Sequence, residues 1–170
     1  MIELLILYLL SKKVLTMYGI SREIKNDFSA LTLPSYGTIK PALNRLENSN
    51  CVRTQKTMSK GGRPSTYYSI TNTGEEEFVN LLLKNPPDNP IQFLTVARVK
   101  LVCAEIIDKK YQKELFKILK LKSESIALDI NNLLKKRDLD FHQKMVFDNL
   151  LCEYKNFISL LEGLNHACNN

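Results

Sequence analysis

The sequence predicts a mainly α chain in two parts: three helices closed by a two-stranded hairpin, then an all-helical carboxy-terminal half. Three observations predict it. Before residue 85 the apolar residues follow helical spacing through three segments and then alternate with a period of two. The run Asn85-Pro86-Pro87-Asp88-Asn89-Pro90 then breaks the pattern, because proline brings no amide to a helix interior. Beyond it the apolar residues return to helical spacing. The expected division is an amino-terminal domain over 1–84, a linker over 85–90 and a helical dimerisation domain over 91–170.

In chain order, Leu4, Leu5, Leu7, Tyr8 and Leu9 form a first helix that is apolar nearly all round, ending near Lys12 and Lys13. Such a helix is buried, and a second chain is one candidate to bury it, which makes Leu5 and Tyr8 candidate dimer contacts. A second helix over Tyr18 to Phe28 sets Ile20, Ile24 and Phe28 on one face, with Arg22, Glu23 and Lys25 outside. After a turn at Leu31 to Pro34, a third helix carries the ridge Ile39, Leu43 and Leu46; Asn50 can take the left-handed conformation its end requires. Pro41 lies inside that helix and cannot donate to the Gly37 carbonyl, so the helix is expected to kink or start late. The proline reads as structural, or as shaping the helix's amino end.

Cys51 to Thr57 and Thr66 to Ile70 then alternate as strands around a Gly-rich, doubly basic tip with Lys60, Gly61, Gly62 and Arg63. Glu75, Glu76 and Glu77 suit the positive end of a helix running to about Lys84. After the linker, one apolar helix spans Ile91 to Ile107 and a second runs from the Asp108 cap to about Leu139. The last covers Asp140 to about Asn165, where Phe147, Leu150, Tyr154, Phe157, Leu161 and Leu164 keep heptad spacing. Val146, Leu151, Ile158 and Leu160 widen that seam beyond what one partner helix covers. The seam reads as dimer interface or core, with Phe147, Leu150, Leu151, Tyr154, Phe157, Ile158, Leu161 and Leu164 as candidate dimer contacts. A ligand pocket among the first helix, the Ile91–Ile107 helix and the last helix is the alternative use of this apolar surface.

Composition excludes several classes. An apolar fraction of 44% with 25% charged residues is that of a folded globular chain. The longest apolar run, Leu4 to Leu10, falls far short of the ~18 residues a membrane span needs and has no basic segment before it, so it does not read as a signal peptide. Cys51, Cys103, Cys152 and Cys168 form no CxxC spacing and read as reduced thiols in a cytoplasmic protein, Cys103 and Cys152 as small core residues. His142 and His166 sit in no metal-ligating or catalytic spacing, and Gly61-Gly62 lies on a hairpin rather than ahead of a helix. No catalytic constellation, metal site or cofactor is expected. The charge is uneven: residues 12–71 carry +7 of the chain's net +6, leaving −1 elsewhere. That asymmetry fits either a nucleic-acid-binding module or a solvated lysine-rich surface.

Three helices followed by a basic hairpin make a winged helix-turn-helix. The polar amino end of the third helix, with Ser35, Tyr36, Gly37, Thr38 and Lys40, can enter a major groove while its apolar ridge holds it to the first two helices. Hydroxyls and first-turn amides suit phosphates, and Lys40 and Asn44 have the reach to touch base edges. Lys60 and Arg63 flank glycines that allow close approach to a backbone or minor groove. A protein-interaction module built on the same elements is the alternative; it predicts weak, salt-insensitive affinity for DNA.

The run Pro34-Ser35-Tyr36-Gly37-Thr38-Ile39-Lys40-Pro41-Ala42-Leu43-Asn44-Arg45-Leu46-Glu47 resembles the recognition helix of PadR-type transcriptional regulators. Gly61 to Thr71, closed by Thr73-Gly74, is similar to that family's wing, and Tyr18-Gly19 to the opening of its second helix. The carboxy-terminal half is similar to that of the longer, AphA-like members. Lys40 stands where the family usually has Tyr, and Asn50 where it usually has Gly. The resemblance implies a homodimer that binds double-stranded DNA at a palindromic operator, usually as a repressor. It places DNA contacts on a recognition helix over 35–50 and a wing over 58–66, with Tyr18 and Tyr67 added to the set. It also implies a small-molecule effector for some members.

Overall fold

A computed structural model describes residues 1–58, 64–136 and 138–169. Among these the chain runs α1 (Ile2–Lys12), β1 (Leu15–Thr16), α2 (Met17–Phe28), α3 (Tyr36–Asn48), β2 (Val52–Met58) and β3 (Pro64–Ile70). It continues through α4 (Asn72–Leu83), α5 (Pro90–Cys103), a single 3-10 turn (Ala104–Ile106), α6 (Lys109–Lys136) and α7 (Phe141–Asn169). The fold is mainly α with a winged helix at its amino-terminal end, in two units, Met1–Ile106 and Ile107–Asn170.

In the first unit α1 is the centre rather than an outer face. It packs against α2, α3, α4, α5 and β3, which is why every residue from Leu4 to Leu10 is buried. Leu5 and Tyr8, expected at a contact with a second chain, are 0% and 4% exposed inside this unit. The Tyr8 ring meets Phe28 edge-on at 5.7 Å and stacks on Phe78 at 6.5 Å. Four surrounding helices supply the cover that a partner chain was expected to provide.

The described strands form an antiparallel sheet in the order β1-β3-β2. β2 pairs with β3 from Val52 opposite Ile70 to Met58 opposite Pro64. The expected two-stranded wing thus gains a third strand, β1, whose Leu15 and Thr16 pair with Tyr68 and Tyr67. Two residues are too few to show a period.

The helix ends are closed locally. Thr16 caps α2 by accepting from the Gly19 amide at 3.1 Å. At the end of α3 the Asn50 amide reaches the Glu47 carbonyl at 3.0 Å and the Cys51 amide the Leu46 carbonyl at 2.8 Å. Asn50 itself is left-handed, with φ 58°. This is the pattern of a helix ended by a left-handed residue, and it turns the chain directly into β2. Thr71 accepts from the Gly74 amide at 3.1 Å and donates to the Asn50 carbonyl at 2.6 Å, joining the start of α4 to that turn. Only glycine fits at position 74: a Cβ there would lie 2.1 Å from the Cys51 carbonyl oxygen and 2.7 Å from Cγ1 of Ile70.

Asn89 caps α5 through the Gln92 amide at 3.1 Å, with Pro90 in the first turn. The segment expected as a linker does separate α4 from α5, but the units divide later, after Ile106. The reason is that α5 buries Phe93, Leu94, Ala97, Val99 and Cys103 and contacts α1. Burial pushes the Cys103 thiol up to about 12, so it is an inert core residue.

The second unit is an antiparallel hairpin of α6 and α7, tied by Lys120 to Glu162 at 2.6 Å and by Cys168 to Gln112 at 2.9 Å. Asp140 accepts from the Gln143 amide at 2.8 Å while the Gln143 side chain accepts from the Asp140 amide, a reciprocal cap that starts α7. Leu115, Phe116, Leu119 and Ile126 of α6 and Leu151, Tyr154, Phe157 and Leu161 of α7 are buried. Of the expected dimer contacts on α7, these four are therefore core, and Phe147, Leu150, Ile158 and Leu164 are half-buried. The seam is wide because it is part of this hairpin's own core. The apolar side chains left outside are Leu121, Leu128, Phe141, Met145, Val146 and Leu160. Cys152, expected in the core, is exposed on α7.

Candidate nucleic-acid interface

The third helix divides into two faces. Ile39, Ala42, Leu43 and Leu46 are buried, whereas Tyr36, Gly37, Thr38, Lys40 and Asn44 are exposed. Ser35 precedes the helix with its carbonyl accepting from the Thr38 and Ile39 amides at 3.0 and 3.1 Å. The Tyr36 and Gly37 amides lie in the first turn, where an α-helix has no partners of its own to offer and an anion is favoured. The Ser35 and Thr38 hydroxyls lie 3.1 Å apart at the same end. α3 runs through Pro41 and starts at Tyr36, so the proline neither breaks nor delays it.

A cleft of about 480 Å³ opens beside this helix end, lined by Thr16, Met17, Tyr18, Lys40, Ser65, Thr66 and Tyr68. It brings the amino end of α2, the Lys40 side chain and strand β3 together. Tyr18 is 65% exposed at its edge. Tyr67 is not among the residues that line the cleft, whereas Thr66 and Tyr68 on either side of it are. Thr16 and Met17 are lining residues that the sequence did not single out, since the place of Thr16 depends on the pairing of β1, whereas Ser65 and Thr66 lie within the expected wing. Lys60 and Arg63, with the glycines between them, lie outside the described residues.

Ion pairs sort the basic residues of this unit. Arg45 Nε lies 2.7 Å from Oε1 of Glu3, and Lys13 Nζ 2.8 Å from Oε2 of Glu23. The Lys13 ammonium holds the Glu23 carboxyl below the usual carboxylate range. Arg22 also sits 3.6 Å from Glu23. Glu47 accepts from Thr54 Oγ1 at 2.7 Å, binding α3 to β2. Lys40, Arg53 and Lys56 are exposed and have no acidic partner among the described residues. These three cations, on α3 and β2, can meet a polyanion.

The chain matches the sequence profile of the transcriptional regulator PadR-like family over residues 6–80. No curated protein matches it. Among solved structures, PadR of Bacillus subtilis in complex with operator DNA is 20% identical, with 98% of each chain covered and a TM-score of 0.47. The same protein in complex with p-coumaric acid is 19% identical, with 99% of this chain and 96% of that chain covered and a TM-score of 0.41. The protein smu.1704 of Streptococcus mutans UA159 is 34% identical, with 47% of this chain and 71% of that chain covered and a TM-score of 0.41.

Proposed function

The chain belongs, through residues 6–80, to the transcriptional regulator PadR-like family, and from that premise we propose that it is a cytoplasmic repressor that binds a palindromic operator as a homodimer. The observation that carries the reading is the pairing of an exposed polar helix end with unpartnered cations: Ser35, Tyr36, Thr38, Lys40 and Asn44 on α3, and Arg53 and Lys56 on β2. In this reading α3 enters the major groove. Its first-turn amides and the Ser35 and Thr38 hydroxyls hold phosphates, while Lys40 and Asn44 meet base edges. Tyr18 lies along the flanking backbone. Lys60 and Arg63 of the wing supply further phosphate or minor-groove contacts. Arg45 stays on Glu3 and positions the helix.

Two protomers reading one duplex need their recognition helices about 34 Å apart, one helical turn. The second unit supplies the contact, through the apolar side chains its hairpin leaves exposed, Leu121, Leu128, Phe141, Met145, Val146 and Leu160. A small-molecule effector acts in this scheme by binding one dimer geometry more tightly than the other.

The test is selection of bound fragments from a genomic DNA library with the purified chain. Enrichment of an inverted repeat whose half-sites lie about one turn apart supports the proposal. Enrichment of no sequence, or of an unrepeated one, contradicts it.

A further inference from the structure

The positive charge of the second unit is gathered at one end of one helix. Residues 107–123 hold six lysines against Asp108 and Glu114, whereas residues 124–170 hold five basic against seven acidic side chains. Lys109, Lys110, Lys113, Lys117 and Lys120 fall within about 100° of the circumference of α6 and about 16 Å of its length. Lys120 lies 2.6 Å from Glu162 and 3.8 Å from Glu124. Lys109, Lys110, Lys113 and Lys117 are exposed and have no acidic partner among the described residues, Asp108 and Glu114 included.

This ridge works against the helix that carries it. Lys109 and Lys110 stand in the first turn of α6, which holds no acidic residue, and so put positive charge at the positive end of the helix dipole. Lys109, Lys113 and Lys117 follow at four-residue spacing, where like charges repel. The local structure gains nothing from the row, and a conflict of this kind marks a surface shaped by a partner. That partner is an anion whose charges repeat along its length. Between Lys109 and Lys120 no large apolar side chain is exposed among the described residues, so the ridge lacks the face that a helix sinks into a membrane surface. Duplex DNA has the required form, with one phosphate charge per about 1.7 Å of its axis.

We infer that the lysine ridge of α6 is a second DNA-contacting surface, which holds phosphates of the duplex flanking the site that α3 reads. The inference rests on the DNA-binding reading of the first unit and adds to it a contact made by the second.

Anisotropy titrations of the full chain on two duplexes test it: the selected inverted repeat alone, and the same repeat with about one helical turn of duplex added at each end. The parent is expected to bind the extended duplex about tenfold more tightly, with a steeper salt slope. In the Lys109→Gln/Lys110→Gln/Lys113→Gln/Lys117→Gln variant that gain is expected to vanish, and the difference in slope with it. The variant is expected to melt no lower than the parent, because repulsion along the ridge is relieved. A parent that binds the bare repeat but gains nothing from the flanks overturns the inference and leaves the reading of the first unit standing. Failure to bind either duplex overturns both. An equal gain in parent and variant, or a variant that melts lower, also overturns the inference. Without the gain from the flanks, lysine-dependent cosedimentation with phosphatidylglycerol vesicles would assign the ridge to an anionic membrane instead.

Discussion

The ammonium of Lys100, on α5, donates to the Leu82 carbonyl at 2.9 Å and to the Lys84 carbonyl, closing the last turn of α4 from 18 residues away. The side chain is 4% exposed, and its partners are backbone carbonyls at a helix end, where a cation is favoured. This contact ties α5 to the end of α4, beside the packing of α5 on α1.

Lys100 gives the first unit a specific pH dependence. Burial, with the like charge of Lys84, pushes its pKa down from 10.5 to about 8. The folded chain therefore releases this proton before the unfolded chain does. Between pH ~8 and ~10.5 the unfolded state binds more protons, and this group's contribution to stability rises with pH; below ~8 it is constant. In urea unfolding followed across that range, Lys100→Met is expected to flatten the rise by about 3 kcal/mol relative to the parent. Parallel curves for the two proteins would remove the assignment.

Gly74→Ala is expected to destabilise the first unit by about 3 kcal/mol, because both the Cys51 carbonyl and Ile70 would have to move. Thermal melting measures it. A loss under about 0.5 kcal/mol would show that the α4 start can shift freely.

Lys40→Ala and the pair Arg53→Ala and Lys56→Ala separate reading from holding. Lys40→Ala is expected to cost about 1–3 kcal/mol on the selected site and to relax preference at one position. Arg53→Ala and Lys56→Ala, like Lys60→Ala and Arg63→Ala, are expected to weaken all duplexes alike and each to lower the salt slope by about one. Anisotropy titrations on matched and single-substituted duplexes distinguish the two patterns. Unchanged affinity in Lys40→Ala would take that residue out of the interface.

Substitutions on α7 separate core from interface. Phe157→Asp is expected to unfold the hairpin, since Phe157 is buried within it. Val146→Asp and Phe141→Asp change exposed residues and are expected to leave helicity intact while shifting the sedimentation coefficient toward that of a monomer. Dimers that persist in both variants would place the contact elsewhere.

The legibility of the sequence followed the physics of each signal. The third helix was readable because Ile39, Leu43 and Leu46 form an uninterrupted ridge, and its end because Asn50 is a residue that tolerates a left-handed backbone. β1 was not, since two residues carry no periodicity and its place depends on pairing with Tyr67 and Tyr68. The all-apolar first helix announced burial without saying by what: Leu5 and Tyr8 would look the same under a partner chain or under α2, α3, α4 and α5. The α7 seam was ambiguous for the same reason, because heptad spacing specifies a helical partner but not whether α6 of the same chain provides it. Lys100 gave no signal, as its carbonyl partners on α4 belong to no side-chain pattern.

The most direct test of the account is the salt dependence of binding to a duplex carrying the selected site. If each protomer of a dimer neutralises about four phosphates, log K falls with log salt at a slope near roughly −7. A line that stays flat from low to physiological salt would contradict a basic winged helix that holds DNA by its backbone.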